Sequence, residues 1–177
     1  MHSKIHEERF SALAILTDQA KLALKKNEIE NLNRIARFYL KEKQWMNNWD
    51  LVDVSTPHIL GPAFFCSPNE FTKENLNELI LSKNLWHRRI AVMTTAYFIR
   101  EGKFDLTTEF CKKLLSDKED LMHKACGWML REVGKKNLPT LVKFLDSNAH
   151  KMPRTMLRYA IEKFPEKKRK YYLNLTN

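Results

Sequence analysis

The chain has 177 residues, with only four glycines and six prolines, and 44% of its residues are hydrophobic. This composition argues against a turn-rich β architecture and predicts one helical domain over residues 1–177 that buries about 70% of its unfolded surface. Thirty-one Lys and Arg against 21 Asp and Glu give a formal net charge of +10 and an isoelectric point near 9.5. Because neutralising phosphates releases condensed counterions, this balance favours a nucleic acid partner.

Several protein classes lack support in the sequence. No apolar run reaches the ~18 residues of a membrane span, and the amino terminus MHSKIHEERF is charged where a signal peptide is apolar, so we expect a soluble, cytoplasmic protein. Neither a glycine-rich phosphate loop nor GxSxG nor HExxH is present, and no cofactor is predicted. Disulfides and a metal site are not expected either, because the cysteines and histidines lack ligand spacing; these residues are Cys66, Cys111, Cys126, His58, His87 and His123.

In chain order, apolar periodicity predicts helical structure over residues 5–26 and a further helix over residues 29–40. The stretch NNWDLVD at residues 47–53 follows, with Asn47 and Asn48 as candidate helix caps. Ser55, Thr56 and Pro57 then indicate a new helix start, because proline is tolerated in the first turn. Gly61 and Pro62 are expected to limit or kink the apolar run from Ile59 to Phe65 in which they lie.

The second half of the chain also shows helical periodicity. We expect a short helix within residues 67–81, then a strongly patterned helix that Asn84 caps and Gly102 closes. Further helices are predicted over residues 104–115, 119–134, 138–145 and 153–164, and the basic stretch at 167–170 is expected in a solvated last turn or frayed tail.

The tryptophans recur at an interval typical of helical-pair repeats. Trp49, Trp86 and Trp128 are each about 40 residues apart. Stacking of such pairs predicts an all-α fold, an α-solenoid of antiparallel helical pairs that forms a HEAT-like or ARM-type superhelix. A non-repetitive helical bundle is the alternative.

The residues that point to chemistry stand at helical spacing. Trp49 and Asp53 are four apart and share a helix face, as Trp128 and Arg131 do at a spacing of three. An aromatic side chain beside a carboxylate can bind a flat cation. In most proteins, however, a Trp-x-x-x-Asp pair consists of a buried core tryptophan and a solvent-exposed aspartate. Trp86, three residues before Arg89, is expected to pack between repeats. Candidate phosphate-binding residues are Arg88, Arg131, Arg154 and Arg158, the last two being equally consistent with ordinary surface charge.

Stacked repeats would bring these helix faces together on one wall, where aromatics, a carboxylate and arginines form an open pocket. Such a pocket suits hydrolysis of the glycosidic bond of a cationic nucleobase. An alkylated purine leaves as a neutral molecule and needs no general acid, so one carboxylate can both position water and stabilise the positive sugar. We therefore assign Asp53 as the catalytic carboxylate, Trp49 and Trp128 as the walls of the site, and Arg89 as a phosphate or backbone clamp. Indole faces would add cation–π attraction.

Four segments carry a family resemblance, namely NNWDLVD, LWHRRIAV, DKEDLMHKACGWMLREVGK and MPRTMLRYAIEKFPE. Together they resemble the DNA alkylation repair (AlkD-like) glycosylases, HEAT-like proteins, from about His6 to Lys170. The resemblance implies that Trp49, Asp53, Arg89 and Trp128 line the active cleft. It also implies metal-free excision of bases such as 3-methyladenine and 7-methylguanine from duplex DNA, without extrusion of the lesion into a deep pocket.

One departure from the family pattern concerns the amino terminus. Family members usually carry further helices before the segment that matches HEERFSALAIL, and we expect this chain to lack them. The leading hypothesis is thus a monomeric, monofunctional glycosylase acting on alkylated duplex DNA. The alternatives are a noncatalytic module for damaged or structured DNA and, disfavoured by the basic charge, a protein-binding HEAT scaffold.

Overall fold

The computed structural model describes residues 1–175, and every regular element in that range is helical. None of these helices is both long and apolar enough to cross a membrane. Short 3-10 helices lie at Lys43–Trp45 and Ala149–Lys151. The α-helices of the described range are α1 His6–Lys25, α2 Ile29–Lys41, α3 Trp49–Cys66, α4 Lys73–Ile80, α5 Leu85–Arg100, α6 Asp105–Lys113, α7 Asp120–Lys136, α8 Leu138–Asn148, α9 Arg154–Ala160 and α10 Glu166–Leu173.

The chain forms two compact units, Met1–Tyr97 and the residues from Phe98 onward. In the first unit, α1 and α2 form an antiparallel pair across a tight turn in which Asn27 has a φ of 58°. Asparagine tolerates this left-handed conformation better than most residues. The pair packs against α3 and buries apolar side chains between the helices, among them Leu13, Leu32, Leu51, Ile59 and Leu60.

Helices α3 and α5 run side by side in the same direction. Asp53 bonds to Arg89 near the start of the two helices, and eight residues further along each helix Gly61 faces Tyr97. A Cβ on Gly61 would lie 2.5 Å from the Cβ of Tyr97. Glycine is therefore what lets the two helices approach closely at this point.

Helix α3 does not begin where the sequence suggested. It runs unbroken from Asn48, its N-cap, to Cys66, with Pro57 and Pro62 inside it. The expected helix start at Ser55–Pro57 is wrong. The missing amides at the two prolines cost hydrogen bonds, but burial of most of the helix outweighs that local signal, because Leu51, Val52, Ile59 and Leu60 are fully enclosed.

In the second unit, α7 packs against α6, α8 and most extensively α9. Gly127 makes the α7–α9 contact possible, since a Cβ there would lie 2.5 Å from both the Met156 carbonyl oxygen and the Tyr159 Cβ. Helix α10 docks through buried Tyr172, whose hydroxyl donates to Asp146 at 2.7 Å. The carboxyl-terminal basic stretch therefore belongs to a docked helix and not to a frayed tail.

The all-α prediction is confirmed over residues 1–175. Short turns join neighbouring helices, and in the first unit two long helices of the same direction, α3 and α5, lie side by side. This packing agrees with the predicted helical pairs of a solenoid.

Candidate active site

An ion pair between Asp53 on α3 and Arg89 on α5 is the centre of the candidate site. Arg89 Nε donates to Asp53 Oδ1 at 2.8 Å, and Arg89 Nη2 donates to Oδ2 at 2.7 Å. The Arg89 side chain is 5% exposed and the Asp53 side chain is 11% exposed. The bidentate geometry fixes the plane of the carboxylate, and the small exposed fraction of Asp53 leaves it a limited opening to solvent.

Trp49 stands one turn before Asp53 on α3. As expected, an asparagine caps this helix: the Trp49 amide donates to the Asn48 side-chain oxygen at 2.7 Å. The indole is 53% exposed, so it is not the core tryptophan of the alternative interpretation. An exposed aromatic at the positive end of a helix, one turn from a carboxylate, is a surface that a flat ligand can contact.

The amino-terminal residues hold this turn in place. His6 Nε2 lies 2.7 Å from Asp50 Oδ2, and Arg9 donates to Asn47 Oδ1 at 3.2 Å. Both bonds connect the start of α1 to residues that flank Trp49. The first helix thus positions the first turn of α3 relative to the rest of the unit.

Tyr39 supports the next turn of α3 from the core. Its hydroxyl lies 2.9 Å from Ser55 Oγ and 2.8 Å from Thr56 Oγ1. Because Ser55 donates its own proton to the Leu51 carbonyl, it accepts from Tyr39. The pKa of Tyr39 is raised to about 12, mainly by burial; the bonds to Ser55 and Thr56 oppose the shift, and the negative charge of Asp53 makes a smaller contribution in the same direction as burial. The phenol is therefore neutral at physiological pH and acts as a hydrogen-bond anchor.

Trp86 and Arg88 lie in the first turn of α5, just before Arg89. The Trp86 amide donates to Asn84 Oδ1 at 2.8 Å, which confirms the predicted cap. Arg88 donates to the carbonyl oxygens of Ser82 and Lys83 at 2.9 and 3.0 Å. Its guanidinium thus stabilises the loop that leads into α5, a role that the sequence did not suggest.

In the second unit, Trp128 is half-buried on α7, next to Gly127. Arg131, one turn later, forms an ion pair with Glu162. The close contact at Gly127 sets the position of α7 against α9 and hence the direction in which its side chains project. This explains why glycine precedes the tryptophan in the GWMLRE motif.

The two remaining predicted DNA contacts are on α9. Arg154 donates to the carbonyl oxygen of Leu173 at 2.5 Å and so caps the last turn of α10. Arg158 is exposed to solvent. A cation near the carboxyl end of a helix is favoured by the helix dipole, which gives Arg154 a structural role in addition to any contact with DNA.

Of the four residues predicted to carry the chemistry, the first unit brings three together, namely Trp49, Asp53 and Arg89, and Trp128 belongs to the second. Sequence reasoning missed the supporting residues Tyr39 and His6. Tyr39 was placed only in an apolar stripe, and nothing in its local pattern indicates a bond to residues 16 positions away. Among residues 1–175, no group of His, Cys, Asp and Glu side chains is arranged to hold a metal ion.

An exposed aromatic and a carboxylate on α3, with an arginine on the neighbouring helix α5, form a candidate active site on an all-α, solenoid-like fold. The chain belongs to the DNA alkylation repair enzyme family, which its sequence matches over residues 1–164. The resemblance seen in the sequence is thereby confirmed, and with it a role in the repair of alkylated DNA. Searches of curated proteins and of solved structures each gave no significant match.

Proposed function

We propose that the protein is a monofunctional DNA glycosylase that hydrolyses the N-glycosidic bond of positively charged N3- or N7-alkylpurines in duplex DNA. The observation that carries this proposal is the oriented carboxylate of Asp53, held by Arg89 at 2.8 and 2.7 Å, one turn from the exposed indole of Trp49. The family match supports it at the level of alkylation repair.

Asp53 is suited to positioning water. A carboxylate offers about four lone-pair sites, and the two bonds from Arg89 occupy one on each oxygen. The remaining sites can accept from a water molecule while the negative charge faces the developing positive charge of the deoxyribose. Because the alkylated base leaves as a neutral molecule, no proton donor is required.

Trp49 is suited to the cationic base. Its indole is more than half exposed, and a cation over an indole face gains on the order of 1–2 kcal/mol when water is excluded. We assign Trp128 as the second aromatic contact and Arg88, Arg131, Arg154 and Arg158 as phosphate contacts. The chain's net charge of +10 supports binding to the DNA backbone. We place the enzyme in the cytoplasm, acting as a monomer on duplex DNA.

Release of free base from methylated duplex tests the proposal. Asp53→Asn should lower the single-turnover rate of 7-methylguanine release by about 10²–10³-fold, the usual effect of removing one electrostatic group that acts in the transition state. Duplex binding should be retained. Asp50→Asn is the matched control, because Asp50 lies on the same turn of α3 and pairs with His6 instead of Arg89. Equal rates for Asp53→Asn and the unsubstituted chain would refute the catalytic assignment.

A noncatalytic module for damaged DNA is the second candidate. The observation that favours it is the burial of Asp53, which is only 11% exposed and already bonded at both oxygens. Such a module would bind methylated duplex with the same steep salt dependence but release no base. The release assay on the unsubstituted chain therefore separates the two candidates.

A further inference from the structure

The second unit contains a cavity that takes no part in the chemistry proposed for Asp53. It lies where the end of α7, the start of α8 and the connection between α9 and α10 meet, and its volume is about 200 Å³. The walls are mainly apolar, formed by Leu138, Leu141, Ala160, Phe164 and Pro165. Leu138 is 48% exposed, so an apolar side chain at this cavity is accessible to solvent.

Four cations surround this apolar cavity: Lys135, Lys163, Lys168 and, at its edge, Arg131, which is also assigned above as a phosphate contact. The lysines are therefore the cations that distinguish this cavity from the DNA contacts. Glu132 pairs with Lys135, and Glu162 pairs with both Arg131 and Lys163, so two carboxylates face four positive groups. Within residues 1–175, Lys168 has no carboxylate partner, and its Nζ lies 5.0 Å from the centre of the Phe164 ring. The rim therefore keeps a positive charge directly beside an apolar lining.

We propose that this cavity is a docking site for an acidic peptide segment of a partner protein, which inserts one apolar side chain between Leu138 and Phe164. The carboxylates of the segment would meet the basic rim. Ligand pockets for drug-sized molecules usually measure about 300–1,000 Å³, and the smaller cavity here matches a single side chain. Charge complementarity selects an acidic segment over a basic or neutral one.

Duplex DNA fits the cavity less well than a peptide. Its phosphates would pair with the rim cations, but the charged backbone presents no apolar group of side-chain size to fill the lining of Leu138, Leu141 and Phe164. Those walls would remain in contact with water. An acidic peptide with one apolar side chain would fill the apolar lining and pair with the basic rim. Apolar burial then contributes to affinity together with the ion pairs.

Fluorescence anisotropy tests this assignment with the full chain. The probe is a short fluorescein-labelled peptide of Asp and Ser that carries a single Phe, and the matched probe has Ala in place of Phe. We expect the Phe probe to bind at least about tenfold more tightly than the Ala probe, as burial of one aromatic side chain predicts. Equal binding of the two probes would overturn the proposal, because simple charge attraction would then explain it.

Two adjacent lysines of α10 provide a matched pair of variants. Lys168 lines the cavity, whereas Lys167 is exposed and does not. Lys168→Glu should weaken binding of the Phe probe by about tenfold, whereas Lys167→Glu should change it by less than about threefold. A third variant, Leu138→Ala, should lower the preference for Phe over Ala, and circular dichroism verifies that all three variants fold.

Competition with duplex DNA separates the two kinds of partner. Unlabelled Phe peptide should displace the probe, and undamaged duplex should displace it no better than the Ala peptide does. If duplex instead displaces the probe and Lys168→Glu weakens duplex binding as much as it weakens peptide binding, the cavity is part of a DNA surface and the proposal fails. Base release by Lys168→Glu is expected to be unchanged, so this result is independent of the glycosylase assay.

Discussion

Removing Arg89 is the most direct test of the Asp53–Arg89 pair. The substitution Arg89→Met keeps much of the side-chain volume but deletes both hydrogen bonds to a carboxylate that is 11% exposed. Breaking a buried ion pair from one side costs about 3–5 kcal/mol, because the remaining charge is left without compensation. This is a large fraction of the roughly 5–15 kcal/mol that stabilises a domain.

The assay is equilibrium unfolding in urea at pH 7. With an m-value of about 2 kcal/mol per molar urea, the expected loss lowers the midpoint by about 2 M. Arg89→Lys keeps the charge without the bidentate geometry and should cost less than Arg89→Met. If a variant is too unstable to purify, the conservative lysine variant still gives a measurable difference.

A double-mutant cycle separates the ion pair from the other contacts of Arg89. In Asp53→Asn/Arg89→Met no charge is left buried, so the double variant should be more stable than the sum of the single losses predicts, by about 1–3 kcal/mol. Strict additivity of the two single substitutions, or a loss below about 1 kcal/mol for Arg89→Met, would refute the argument that the pair is buried and coupled.

Three further predictions follow from the site and its supports. The pKa of Tyr39 is about 12 in the folded chain, against 10.0 ordinarily, so the unfolded chain loses this proton first. Tyr39 should therefore lower the free energy of unfolding by about 2 kcal/mol from pH 10 to 12. Tyr39→Phe should remove about 2 kcal/mol of the fall seen in urea titrations at each pH. Part of the slope should remain, because burial and the hydrogen bond to Asp146 also raise the pKa of Tyr172. Gly127→Ala should lower the melting temperature by about 3–9 °C, because its Cβ would collide with Met156. Trp49→Ala should leave the melting temperature within about 2 °C, since the indole is exposed, yet slow base release by about tenfold. A large loss of stability in Trp49→Ala would show that the indole serves the fold.

The sequence predicted best those features that depend on a few neighbouring residues. Asn48 and Asn84 cap helices as expected, and Gly102 closes α5 with a φ of 74° that favours glycine. Each signal acts within one turn of the chain. Trp49 and Asp53 share a helix face for the same reason, because their spacing alone places them there.

Features that depend on distant parts of the chain were less predictable. The Ser-Thr-Pro signal at residues 55–57 indicated a helix start, but helices packed around α3 keep it continuous. Arg89 was assigned to DNA, and no local pattern shows that its guanidinium is bonded to a carboxylate 36 residues earlier. The role of Arg89 as a clamp stays a prediction. The structural tasks of Arg88 and Arg154 likewise come from backbone carbonyls that sequence spacing does not reveal.

The two prolines inside α3 bear on how the candidate site comes into being. Pro57 has no amide to offer the carbonyl of Asp53, and Pro62 has none for the carbonyl of His58. A peptide covering this helix would therefore be poorly ordered alone, because short helices in water are marginal even with every bond in place. Asp53 therefore acquires its orientation only when the surrounding helices have assembled, so the candidate site is a property of the completed first unit and not of the α3 sequence alone.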